Sequence, residues 1–86
     1  MNTIKTEILD NLCYTDLVYQ RINKKLKTNF SNDQIETMLV AVLNETELSC
    51  FDKRGKNFYV SNEKNNIRIT INSYTFRVIT VDRINK

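Results

Sequence analysis

The hydrophobic period of this chain changes once, near residue 48, and that change limits its fold more than any other feature. Before it, apolar residues recur every three or four positions; after it, they recur every two. The first spacing builds amphipathic helices and the second builds half-buried strands. "SNDQIETMLVAVLNE" is the clearest helix. Ser31 and Gln34 have the spacing of a capping box, and Ile35, Met38, Leu39, Val42 and Leu43 form one apolar stripe. Upstream, Ile4, Ile8 and Leu12 predict a short helix. "YTDLVYQRINKKL" predicts a second, with Thr15 as N-cap and Leu17, Val18, Ile22 and Leu26 on its inner face.

Downstream, "LSCFDK" and "KNFYVS" flank Arg54-Gly55, a hairpin signal. The polar turn "SNEKNN" leads into "IRITINSYTFRVIT", where the chain is expected to reverse at Asn72-Ser73. Consecutive strands joined by turns this tight must run antiparallel. The expected fold is therefore α+β, one domain over residues 1–86. About three helices in residues 3–46 pack on one face of a four-stranded antiparallel meander in residues 48–83.

A chain of 86 residues supports one modest core. No apolar run approaches the ~18–20 residues of a membrane span. "MNTIKTEILDN" lacks the basic start and apolar stretch of a signal peptide. A cytoplasmic protein with no membrane partner is expected. Cys13 and Cys50 lie far apart in sequence, which suits reduced, partly buried thiols. With no histidine, two thiolates make a poor zinc site, so neither metal nor cofactor is expected. The same absence excludes Ser–His–Asp and Cys–His nucleophilic centres. A single glycine, Gly55, excludes glycine-rich phosphate loops. One alanine, no proline and many Asn, Lys and Ile suggest an AT-rich bacterial or phage source.

Charge is segregated along the chain. Residues 1–30 carry five Lys/Arg against three Asp/Glu, residues 31–47 carry four acids and no base, and residues 48–86 carry eight bases against three acids. The basic excess of the strand region permits contact with phosphate but does not demand it. Strand parity places Phe58, Val60, Ile67, Ile69, Ile71, Phe76 and Val78 toward the helices. It places Asn57, Tyr59, Ser61, Arg68, Thr70, Asn72, Thr75 and Arg77 on the open face. Ile79 and Val81 then fall on the wrong parity, which predicts a bulge or a covered end.

Asn57, Tyr59, Arg68, Thr70 and Arg77 are the candidate binding residues for nucleic acid or a partner. Two guanidiniums, a phenol, an amide and a hydroxyl can grip phosphate and stack a base. The same residues equally furnish the wet side of an ordinary antiparallel sheet. Arg21, Lys24, Lys25 and Lys27 read as a solvated, dipole-matched helix end.

At "TDLVYQRINKKL", "GKNFYV" and "ITINSYTFRVITVDR" the chain resembles a family of small uncharacterised bacterial proteins, domain of unknown function three-seven-eight-one. Arg21-Ile22 match its helix pattern, and Gly55 to Val60 match a second block with Phe58 in place of tryptophan. Asn72, Thr75-Phe76 and Ile79-Thr80 match the last block, while Asp82 stands where the family tends to have histidine. That departure puts histidine chemistry in doubt here, and the resemblance implies no established activity.

The architecture is also similar to that of the RelE, barnase and colicin group of small ribonucleases. That likeness implies metal-independent RNA cleavage, with Arg68 and Arg77 on the phosphate, Lys56 or Tyr59 moving protons and Thr70 positioning the nucleotide. The reading placed first is an interaction or inhibitor protein, of the anti-CRISPR kind, acting on a nucleic-acid-handling protein or nucleoprotein. A toxin-like ribonuclease and a plain RNA-binding module with stacking by Tyr59 are the alternatives. A homodimer through the last strand, ending in "VDRINK", is a further expected contact.

Overall fold

The computed structural model describes residues 3–84; the last two residues of "VDRINK" lie outside the described residues. Three helices precede a four-stranded antiparallel sheet, in the expected α+β arrangement: α1 (Ile4–Asn11), α2 (Asp16–Leu26), α3 (Asn32–Glu45), β1 (Phe51–Arg54), β2 (Asn57–Asn62), β3 (Ile67–Asn72) and β4 (Val78–Arg83). Strand order follows chain order, as in a meander.

Local chemistry explains the boundaries. Ser31 Oγ accepts the Gln34 backbone N–H, and Gln34 Oε1 accepts the Ser31 N–H at 2.8 Å, completing the capping box at the start of α3. Thr15 is the N-cap of α2, but its side chain makes no capping bond. Helix α2 stops at Lys27, which turns into the left-handed region at φ 58°. Asn23 then organises the link to α3: its amide donates to the Phe30 carbonyl and its oxygen accepts from Thr28 Oγ1 and the Phe30 N–H. Gly55, at φ 58°, supplies the positive φ of the β1–β2 turn.

Four sequence expectations need correction. Leu48–Cys50 form a 3-10 turn where a strand was expected, so β1 begins only at Phe51. Leu17 is 73% exposed, because α2 turns Val18, Ile22 and Leu26 inward and leaves its neighbour outside that stripe. Phe76 lies before β4 at φ 60°, with its N–H donated to the Asn72 carbonyl. Its ring still packs against the core from the side. Both cysteines are free, Cys13 partly buried and Cys50 exposed rather than partly buried.

The core forms where the inward faces of β2, β3 and β4 meet the helices. Val60 pairs with Ile69 and Ile69 with Val81, and all three are closed to solvent. Ile8, Ile22, Ile35, Leu39 and Leu43 cover them from the helical side. The register between β3 and β4 shifts between Thr70 and Ile71, which pair with Thr80 and Val78. Ile79 is the extra residue, and this predicted bulge returns Val81 to the core.

Polar contacts fasten the edges. Arg83 Nη2 donates to the Leu26 carbonyl at the end of α2, at 3.2 Å, and Lys25 Nζ lies 3.3 Å from Asp82 Oδ1. Asn62 Nδ2 donates to Thr46 Oγ1 at 2.9 Å, and that hydroxyl donates to the Val42 carbonyl at 2.6 Å. This buried relay ties the end of α3 to the β2–β3 turn.

Tyr14 and Tyr19 stack with centroids 5.6 Å apart, and Tyr19 Oη donates to Glu36 Oε2 at 2.8 Å. Burial raises the Tyr14 phenol above its ordinary range, with the Glu36 charge adding to the effect. Desolvation, then the bond to Glu36, pushes Tyr19 up to about 12.

Two outcomes follow. Ile69→Ala removes the centre of the core row and is expected to cost ~2–5 kcal/mol in urea unfolding. For the tyrosine pair, folding favours the neutral phenols, whose ordinary pKa is 10.0. Their contribution is therefore complete below about pH 10 and declines as pH rises toward about 12. Tyr14→Phe and Tyr19→Phe together should flatten that decline when unfolding is followed across the alkaline range.

Candidate functional site

The open face of the sheet gathers only part of the expected set. Asp52, Arg54, Tyr59, Ser61 and Arg68 line a shallow concavity of about 280 Å³. Register explains the grouping: Asp52 pairs with Tyr59, Arg54 with Asn57, and Ser61 with Arg68. Arg68 Nε reaches Ser61 Oγ only at 3.4 Å, while Arg54 Nε is held by Asp52 Oδ2 at 2.6 Å. Asp82 is the cross-strand neighbour of Arg68 on β4. Asp52 therefore offsets Arg54, whereas Asp82 is engaged by Lys25 and makes no ion pair with Arg68.

The other candidates lie elsewhere. Thr70 is only 6% exposed, flanked across the strands by Tyr59 and Thr80, so the expected open position offers little surface. β3 is an inner strand, so residues of β2 and β4 flank Thr70 on both sides. Arg77 is separated from Arg68. It precedes β4, forms a bridge with Cys13, and lines a concavity with Thr15, Leu17, Arg21 and Ile79. Lys56 sits in the β1–β2 turn, and Asn57 begins β2 at the same end of the sheet. Of the groups in the ribonuclease reading, Tyr59 and Arg68 share the first concavity, while Lys56 and Arg77 lie apart from it. Among the described residues, no group of three or more Cys, Asp and Glu could hold a metal ion.

A second surface does gather charge. Two adjoining concavities share Leu17 and Arg21. One, about 640 Å³, is lined by Leu17, Gln20, Arg21, Lys24 and Lys25; the other, about 250 Å³, runs along Arg77 and Ile79. Arg21, Lys24 and Lys25 of the helix end read as solvated thus adjoin Arg77, which lies just ahead of β4. Leu17 and the bulged Ile79, 37% exposed, supply apolar surface between them. Arg21 and Arg77 line one concavity from positions far apart in sequence, which leaves no local signal. The exposure of Leu17 also had none, because its spacing suits the inner stripe as well as Val18 does. Asp52 and Arg54, by contrast, were readable from the alternation of β1.

Thr80 Oγ1 is buried on the open-face side with no hydrogen-bond partner. Thr80→Val keeps the shape and removes the unsatisfied hydroxyl, and is expected to raise stability by ~1 kcal/mol. A loss in urea unfolding would mean that the hydroxyl is satisfied.

Neither a curated protein nor a solved structure matches the chain. A family model does, over residues 6–82, from the end of α1's first turn to the last residues of β4. That match takes in both surfaces, and the chain belongs to the family described as protein of unknown function DUF3781.

Proposed function

We propose that this protein is a small cytoplasmic interaction protein that docks on a nucleic-acid-handling protein or nucleoprotein and inhibits it, in the manner of an anti-CRISPR inhibitor. The observation that carries the reading is the α2–β4 surface: Leu17, 73% exposed, stands inside a rim of Arg21, Lys24 and Arg77. An apolar anchor within a charged rim is the anatomy of a protein interface. The cationic rim suits acidic side chains or phosphates, and a nucleoprotein offers both beside apolar protein surface. Lys25 is shared with Asp82 at 3.3 Å and contributes less to the rim.

The same residues explain why binding is favoured over catalysis. Lys56, Tyr59, Arg68 and Arg77 are dispersed over a turn, two strands and the α2 edge. General acid–base work needs the proton acceptor within hydrogen-bond reach of the reacting group. Tyr59 and Arg68 share one concavity beside Thr70, but Lys56 and Arg77 lie away from it.

The test is affinity capture from bacterial cells with wild type, Leu17→Asp and Arg21→Glu. The expected result is recovery of a nucleic-acid-handling complex by wild type, reduced about tenfold or more by either substitution, which corresponds to at least ~1.4 kcal/mol. Purified protein should leave labelled RNA intact in EDTA. Equal recovery by all three proteins, or RNA cleavage abolished by Arg68→Ala, would overturn the reading. A concentration-dependent dimer disrupted by Ile79→Asp would assign the edge to self-association instead.

A further inference from the structure

We propose that the end of the sheet where the β1–β2 and β3–β4 turns meet binds single-stranded nucleic acid, with the Tyr74 ring as a base-stacking platform and Lys56 as a phosphate contact. This goes beyond the docking surface above and uses none of its residues. Tyr74 is 70% exposed, an aromatic ring left almost wholly in water. Tyr59, expected to stack a base, is half-buried among strand neighbours.

The turn bearing Tyr74 is held from three sides. Asn72 Oδ1 accepts the N–H groups of Tyr74 and Thr75 at 2.8 and 2.9 Å. The Ser73 N–H donates to the Lys56 carbonyl at 2.8 Å, which fixes the two turns against each other. Cys13 Sγ contacts the Thr75 carbonyl at 3.2 Å from the helical side. The backbone that carries the ring is thus already ordered before a ligand covers it.

The neighbouring chemistry suits a nucleotide strand. Lys56 is exposed, and no acidic partner engages its ammonium among the described residues. Asn57 opens β2 beside it and pairs with Asn72, so an amide lies in the same corner. An exposed ring accepts the π-face of an unpaired base, and an ammonium on the adjoining turn can meet a phosphate of the same strand. A duplex keeps those faces inside its own stack, so the site selects single strands.

The test is fluorescence anisotropy with labelled uridine-rich RNA, a thymidine-rich DNA of equal length, and an RNA duplex, each at low and moderate salt. Wild type should bind single strands and not the duplex, more weakly as salt rises. Tyr74→Ala should weaken binding about tenfold and Tyr74→Phe should restore it. Lys56→Ala should lower the salt dependence. Leu17→Asp should change nothing, so failure here and failure of the docking surface are separable. Binding of RNA and DNA alike would assign sugar-independent stacking, and binding of RNA alone would assign recognition of the 2′-hydroxyl; either supports the site. No binding by folded protein, binding unchanged in Tyr74→Ala, or equal binding of the duplex would overturn it.

Discussion

The row of Val60, Ile69 and Val81, one residue from each of three adjacent strands, is the contact on which the molecule depends. All three side chains are closed to water and face Ile8, Ile22, Ile35, Leu39 and Leu43. Neither half of the chain can bury its apolar surface alone. The helices are short, and a four-stranded meander with one greasy face needs a cover. Burial of roughly 25 cal/mol per Å² of apolar surface drives the two halves together. The bulge at Ile79 is a consequence: without the extra residue, Val81 would point away from the helices.

That same bulge builds a surface. It turns Ile79 outward at the sheet edge beside α2, where Leu17 and Arg21 already stand. The bridge between Cys13 and Arg77 holds the arginine there, with Cys13 donating its N–H to the Phe76 carbonyl and accepting the Val78 N–H. The left-handed backbone at Phe76 is the local cost of that route. A device required by the core thus sets an apolar and cationic rim at the edge.

The fold was legible because its signals are local. Ser31 and Gln34 announce a capping box, Gly55 a turn, and the alternation through Ile67, Ile69 and Ile71 an inward strand face. Even the bulge could be read, since Ile79 and Val81 break the parity set by Val78. The candidate site was less legible. Parity says which face a residue takes but not whether its neighbours cover it, and Thr70 in the centre of the sheet is covered. Nor does it show that Arg77 leaves the ladder's open face for the α2 edge, because that depends on a bridge to Cys13 in the distant first third of the chain.

The measurement that tests the central claim most directly is hydroxyl-radical footprinting of the protein alone and with its captured partner. The account predicts that Leu17 and Ile79 lose reactivity in the complex while Tyr59 on the open sheet face keeps it. Protection of Tyr59 with Leu17 and Ile79 still reactive would contradict the account and return the partner to the open face.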